Sequence, residues 1–398
     1  MNQSMRALGE APSKIREIFE YGCRRKAQIG EDAVFDFSLG NPSVLPPASV
    51  NAALTALIQN ESPTRLHGYT SAAGDPRIRE QLAEDLNRRY ATDYHKDELY
   101  LTAGAAAALT ATLTALLNVN DEVILNAPYF PEYRVFIERC GAKVVAVSTL
   151  PSTFTPDISA LRDTINERTQ AVIINSPNNP TGAVIRPDEL RALCDMLREE
   201  AARIGHPIYL ISDEPYREIV YGDLCVPHVP SYYRDTVVCY SYSKSLSIPG
   251  ERIGYVLIPH EAADGVALMH AVWGAGRALG FVCAPSLFQQ LLPHVLHDTA
   301  DIAVYQKNRD LLYRELSALG FEVVPPDGAF YLFVRAPMGD AASFAEEARG
   351  EEILLVPSDS FGVSGYVRIS YCVATDTVLR ALPAFARLRA RYGEKLYK

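Results

Sequence analysis

Residues 237–254 read Val237-Val-Cys-Tyr-Ser241-Tyr-Ser-Lys244-Ser-Leu-Ser-Ile-Pro-Gly-Glu-Arg252-Ile-Gly254. An apolar, β-branched run passes into hydroxyls and a lysine, and an arginine follows eight residues later. The run predicts a buried strand over 237–241 whose C-terminal end opens into a polar loop. Near-continuous apolar runs recur at 99–102, 123–126, 143–147, 171–175, 209–213 and 253–258, and amphipathic helical patterns lie between them at 76–90, 129–140 and 187–203. Strands that are apolar at every position belong to a sheet covered on both faces, and their alternation with helices makes that sheet mostly parallel. The fold class expected is therefore α/β.

The last third of the chain has a different rhythm. A helical pattern over 304–319 is followed by short strand patterns at 322–324, 330–334, 354–356 and 366–370 and a closing helix over 375–392. This reads as a smaller α+β unit, with 284–296 as a candidate bridging helix. The full length of 398 residues agrees with more than one domain.

Composition narrows the function classes. With 48% hydrophobic and 22% charged residues, the chain is an ordinary globular sequence rather than a disordered or fibrous one. The 38 basic against 48 acidic residues give a formal charge of −10, which argues against binding nucleic acid or an anionic membrane. Seven widely spaced cysteines without a CxxC pair exclude a disulfide framework or zinc ribbon and suit a reducing, cytoplasmic setting. The polar N-terminus has no apolar core of a secretion signal. The uncharged run over 99–120 is too rich in Ala and Thr for a membrane span, and a strand, a turn and a buried helix explain it better. No histidine cluster has metal-ligand spacing, so no metal is expected.

In an open α/β sheet, polar residues just past strand C-termini face the ligand crevice, and six such segments stand out. Around Lys244, Ser241, Ser243 and Arg252 suit an anionic ligand that also meets an amine. A neighbouring cation should lower the Lys244 pKa and make it a nucleophile towards carbonyls; a solvated loop lysine is the plainer alternative. Asn175-Ser-Pro-Asn-Asn179-Pro-Thr-Gly182 is a turn sequence directly after a strand. In Ser212-Asp213-Glu-Pro-Tyr216 the carboxylate suits a cationic ring nitrogen, or else a helix cap. Thr102-Ala-Gly104-Ala105-Ala106 would open a helix whose free N–H groups suit a phosphate, although helix packing also selects Ala. In Pro128-Tyr129-Phe130 an aromatic stands ready to stack on a planar ring or to join the core. Arg368, inside the apolar strand Tyr366-Val-Arg368-Ile-Ser, needs an anion: a substrate carboxylate or an internal acid.

Taken in this order, with Ser38-Leu-Gly40-Asn41-Pro42 at the front, the segments resemble the class I/II aminotransferases of the aspartate aminotransferase superfamily. These are fold type I enzymes dependent on pyridoxal 5'-phosphate (PLP). The resemblance spans nearly the whole chain. It implies a large PLP-binding domain over 47–290, with a mostly parallel sheet covered by helices. A smaller α+β domain, made of 1–46 with 291–398, would close over the active site. Lys244 would hold PLP as a Schiff base, with Asp213 and Tyr216 as its catalytic companions. Asp213 would pair with the ring nitrogen, Asn179 and Tyr216 with the phenolic oxygen, and Phe130 would stack on the ring. Gly104, Ala105, Ala106, Ser241, Ser243 and Arg252 would cradle the phosphate. Tyr69, in His67-Gly-Tyr69, would reach the phosphate of a partner subunit in a homodimer. Arg368 would take the substrate carboxylate, with Asn179 nearby and the Gly40 and Asn41 loop closing over it.

The implied reaction moves an amino group from an L-amino acid, aspartate-like or other, to a 2-oxo acid. PLP-dependent lyases, γ-replacement enzymes and carbon–carbon bond-forming enzymes share the same residues and form the alternative. One departure stands out: many relatives carry a Ser or Thr hydroxyl where this chain has Ala105 and Ala106, so a looser phosphate grip is expected. Arg277 is a candidate for a distal substrate carboxylate, or a plain surface arginine, and Tyr242 and Trp273 are candidate pocket walls.

Overall fold

The computed structural model describes residues 1–10, 13–393 and 396–397. The first strand, β1 (Phe35–Asp36), is short, and seven strands then build the central sheet. These are β2 (Leu99–Thr102), β3 (Glu122–Ala127), β4 (Lys143–Ser148), β5 (Thr169–Asn175), β6 (Tyr209–Asp213), β7 (Thr236–Ser241) and β8 (Gly254–Leu257). The remaining strands are β9 (Val323–Val324), β10 (Tyr331–Arg335), β11 (Ile353–Leu354), β12 (Val356–Pro357) and β13 (Tyr366–Ser370).

The central sheet has the order β2-β8-β7-β6-β5-β3-β4. Its β3, β4, β5, β6 and β7 pair in parallel, while β8 runs antiparallel to both β7 and β2. Only β8 therefore runs against the rest. Both faces are buried, as the unbroken apolar runs require, except at the edge strand β4, where only Val147 is buried. Val237 and Cys239 pack into one core with helices Ala105–Leu116 and Gly265–Ala278, whereas Val238 and Tyr240 pack into the core on the opposite face with helix Pro76–Tyr90. The same alternation sends Ile173 and Ile211 to one side and Val172, Ile174 and Leu210 to the other, against helix Pro187–Ile204.

The consequence for function is geometric. The C-terminal ends of β2, β3, β5, β6 and β7, together with the start of β8, lie along one edge of the sheet. Five of the six polar segments singled out above, all but the one around Arg368, fall on that edge.

A second sheet, β12-β13-β10-β9, is antiparallel, with Phe333 opposite Arg368. It is flanked by helices Ile302–Ala318, Ala341–Arg349 and Thr375–Ala390. The N-terminal segment joins this part of the molecule. β1 pairs in parallel with β11, Arg25 meets Glu352 at 3.1 Å, and the Ser370 N–H donates to the Phe37 carbonyl at 2.9 Å.

Three expected elements differ in extent. The helix expected over 129–140 covers only Glu132–Glu138, because Pro128 and Pro131 keep the preceding residues out of helical conformation. The bridging helix expected over 284–296 is Ser286–Leu291, followed by a short 3-10 turn in which Pro293 removes a backbone donor. The strand expected over 354–356 is two strands, one serving β1 and the next serving β13.

Candidate active site

A cavity of about 270 Å³ lies at the edge described above. Lys244, Asp213, Tyr216, Asn179, Phe130 and Gly40 line it, as do Ala105, Ala106, Ser241, Ser243, Arg252 and Arg368. Segments far apart in sequence thus converge because their strands end side by side.

Lys244 sits on a short helix, Tyr242–Ser245, capped by the Ser241 hydroxyl, which accepts the Ser243 N–H at 3.2 Å. Its ammonium donates to the Gly40 carbonyl at 2.7 Å and lies 5.7 Å from the Phe330 ring centre. Its pKa is lowered to about 8, chiefly by burial, with Arg252 and Arg368 adding to the effect. The direction matches the sequence reading, but the leading cause is loss of water rather than the neighbouring Arg252.

Asp213, at the end of β6, is buried. Asn175 fixes its backbone by donating from Nδ2 to the Asp213 carbonyl at 2.9 Å, while Asn175 Oδ1 accepts the Asn179 N–H at 2.7 Å. Tyr133 donates to Asp213 Oδ2, and Oδ1 has no partner. Burial raises the carboxyl pKa to about 7, against the Tyr133 hydrogen bond that lowers it. An ionised carboxylate with one free buried oxygen calls for a cationic donor.

The other end of the cavity is built for an anion. Gly104 precedes helix Ala105–Leu116 with φ +80° and ψ 178°, a conformation costly for any other residue. The first-turn N–H groups of Ala105 and Ala106 have no intrahelical acceptors. A Cβ on Gly104 would lie 2.9 Å from Arg252 Nη2, so the missing side chain makes room for the guanidinium. Arg252 donates from Nη1 to the Ser243 hydroxyl at 3.4 Å and to the Pro249 carbonyl at 3.0 Å. The Ser241 and Ser243 hydroxyls meet at 2.7 Å.

Arg368 is 1% exposed, yet its recorded partners are neutral. Nη1 donates to Asn179 Oδ1 at 2.9 Å, Nη2 donates to the Ser38 carbonyl, and Nε has no partner. Among the described residues no internal acid answers it, which removes the plainer of the two sequence readings. Burial pushes its pKa below the usual arginine value. The guanidinium is stacked by Tyr331 and Phe361, at 4.7 and 5.2 Å from the ring centres.

Five sequence candidates lie elsewhere. Asn41 is exposed and does not line the cavity, although its carbonyl accepts from the Cys372 thiol at 3.3 Å. Tyr69 is 89% exposed and away from the cavity of its own chain. Arg277 is exposed on helix Gly265–Ala278 and also lies outside it. Tyr242 does not line this cavity: it is buried against Tyr240 and Tyr255 and borders a different one with Arg89 and His297, and Trp273 lines a third with Met269 and His270. Conversely, the sequence reading missed Tyr331, Tyr133 and Asn175. Tyr331 was concealed in an apolar strand and Tyr133 in an amphipathic helix; Asn175 had the signal of ending a buried strand. Among the described residues no His, Cys, Asp and Glu group is placed to hold a metal ion, and no helix is long and apolar enough to cross a membrane.

The family model described as aminotransferase class I and II matches residues 32–385. The chain is 33% identical over 369 residues to an aspartate/prephenate aminotransferase of Thermus thermophilus, covering 88% of this chain and 90% of that one. It is 30% identical to a probable N-acetyl-LL-diaminopimelate aminotransferase of Bacillus subtilis, with 93% of each chain covered. Among solved structures, an amino transferase from Eubacterium rectale is 49% identical with a TM-score of 0.96, covering 99% of both chains. The aspartate aminotransferase of Thermus thermophilus with maleate gives 28% identity and a TM-score of 0.83, covering 98% of this chain and 99% of that one. These relatives carry aminotransferase names and do not favour the lyase, γ-replacement or carbon–carbon bond-forming alternatives. The chain belongs to the class I and II aminotransferases, and it is an enzyme of that class with the fold type I architecture.

Proposed function

We propose that the cavity holds PLP, with Lys244 as its point of covalent attachment, and that this chain exchanges amino groups between an L-amino acid and a 2-oxo acid. The observation that carries the reading is the pairing of opposites along one cavity. A buried carboxylate with a free oxygen, Asp213, stands on one wall, and Arg252 with unpaired helix N–H groups forms the anion-binding end. A ring with a basic nitrogen and a phosphate fits both demands. Asp213 would hold the ring nitrogen, and Phe130 would cover a ring face. Asn179 and Tyr216 would meet the phenolic oxygen. The phosphate would lie against Ala105, Ala106, Ser241, Ser243 and Arg252. When bound, such a cofactor supplies an electron sink for the bonds at the substrate Cα.

The chain's own residues supply the rest. Arg368 receives the substrate carboxylate with Nε and the forked donors now spent on neutral oxygens. This fixes the Cα–H bond relative to Lys244. The Lys244 amine, with its pKa lowered to about 8, would take the Cα proton as base and, as acid, give it back two atoms along, at the cofactor carbon beyond the substrate nitrogen. Asp213 stays ionised opposite a cation. Gly40, whose carbonyl already holds Lys244, belongs to the segment that covers the substrate and excludes water, with Asn41 beside it.

A division into a 47–290 domain and a second domain of 1–46 with 291–398 would let that segment close over the site. The Ser38 carbonyl and Arg368 both come from the second group, and Arg368 donates to Ser38 and to Asn179 of the first. Tyr69, exposed in one chain, would reach the phosphate of a second copy, the active unit being a homodimer. A cytoplasmic setting suits the free cysteines. The direct test is a spectroscopic titration of purified protein with the twenty amino acids and common γ-substituted ones. A visible band bleached by an amino donor, with release of its keto acid, is expected. Release of a leaving group without loss of that band points to the lyase class instead.

A further inference from the structure

Tyr331 takes part in none of the roles assigned above, yet its side chain touches three parts of the site. It sits on β10 and is 2% exposed. Its hydroxyl is 2.7 Å from the hydroxyl of Tyr216. Its ring lies under Arg368, 4.7 Å from the guanidinium carbon. The same hydroxyl occupies the space that a side chain at Gly40 would need, so it also backs the loop whose carbonyl holds Lys244. The strand register explains the position. Tyr331 pairs with Ser370, and Phe333, two residues on, pairs with Arg368, so Tyr331 and Arg368 share one face of the sheet.

Proton counting gives this contact a direction. A tyrosine hydroxyl has one proton to donate and lone pairs to accept. If Tyr216 gives its proton to the phenolic oxygen of the cofactor, the 2.7 Å contact requires Tyr331 to donate into Tyr216. A hydroxyl that accepts a hydrogen bond becomes a stronger donor itself. We infer that Tyr331 is a positioning residue that strengthens the Tyr216 donor on the cofactor side and supports the Arg368 carboxylate clamp on the substrate side, so that one side chain couples the two. The inference rests on the cofactor reading above.

Two variants separate its two functions. Tyr331→Phe removes only the hydroxyl. Tyr216 then donates less strongly, the phenolic oxygen carries its negative charge with less support, and the nitrogen of Lys244 beside it holds its proton more tightly. In the holoenzyme without substrate, the pH midpoint of the visible absorption band should therefore rise by roughly half a unit or more. Binding of propionate, followed by calorimetry, should stay within about twofold of wild type because the ring remains under Arg368. Tyr331→Leu removes the ring as well, and propionate affinity should fall by roughly tenfold. A Tyr331→Phe band that titrates at the wild-type midpoint overturns the coupling to Tyr216. A Tyr331→Leu protein that binds propionate as wild type does overturns the support of Arg368. If the Leu variant does not fold, the Phe titration decides alone. A wild-type protein with no such band removes the cofactor reading, and this inference with it; a wild-type band with unmoved variants removes only the inference.

Discussion

At the scale of the residue, the site is a set of buried polar groups left incomplete by the chain itself. Asp213 has a free oxygen and Arg368 a free Nε, and neither meets an ion of opposite charge among the described residues. Burial raises the Asp213 pKa to about 7, so the folded, cofactor-free protein binds a proton there that the unfolded chain has already lost. Stability of the cofactor-free protein should therefore fall as pH rises through the window between the ordinary carboxylate value and about 7. Asp213→Asn removes that loss. Its advantage over wild type in denaturant unfolding should grow from about pH 4 to about pH 7 and level off above, reaching roughly a few kcal/mol. A difference that does not change with pH contradicts the burial account. For Arg368→Lys, one ammonium cannot reproduce the planar fork, so amino-acid KM should rise by on the order of tenfold while PLP affinity stays within about twofold. Equal loss of both contradicts the assigned role. These residues were legible in the sequence because each is a charge or a turn former set against an apolar strand. Tyr331 and Tyr133 were not, because an aromatic in an apolar strand or helix reads as core whatever its hydroxyl does.

At the scale of the element, what the sequence conveyed well was the strand ends. Tyr209–Asp213 and Tyr366–Ser370 fall where expected, since a switch from apolar to polar residues marks where the strand gives way to the site. Helix boundaries were harder to read, as Pro131 before one helix and Pro293 after another show: amphipathic periodicity extends past prolines that interrupt the backbone ladder. The turn from β2 into helix Ala105–Leu116 carries its own prediction. Alanine at Gly104 is strained at φ +80° and pushes on Arg252. Gly104→Ala should weaken PLP binding by roughly tenfold but leave binding of pyridoxal, which lacks the phosphate, nearly unchanged. Measured dissociation constants for the two ligands check it, and equal loss for both contradicts a phosphate cradle here.

At the scale of the whole molecule, the central sheet brings together residues from 104 to 252, and the segments that complete the site arrive from both ends of the chain. Ser38 and Gly40 come from the N-terminal side, and Tyr331 and Arg368 from the C-terminal side. The pairing of β1 with β11 that makes this possible was not legible, since two-residue strands carry no periodicity. Tyr69 lies outside its own cavity, so the account expects sedimentation velocity to give a two-chain species and Tyr69→Ala to lose PLP affinity without loss of that species. A catalytically competent monomer contradicts the shared site. The central claim is narrower still: one amine, Lys244, is bonded to the cofactor. Reduction of the purified protein with borohydride followed by peptide mapping tests it most directly. The predicted result is a stable pyridoxyl label on Lys244; a label on a different lysine, or none in protein that carries PLP, contradicts the account.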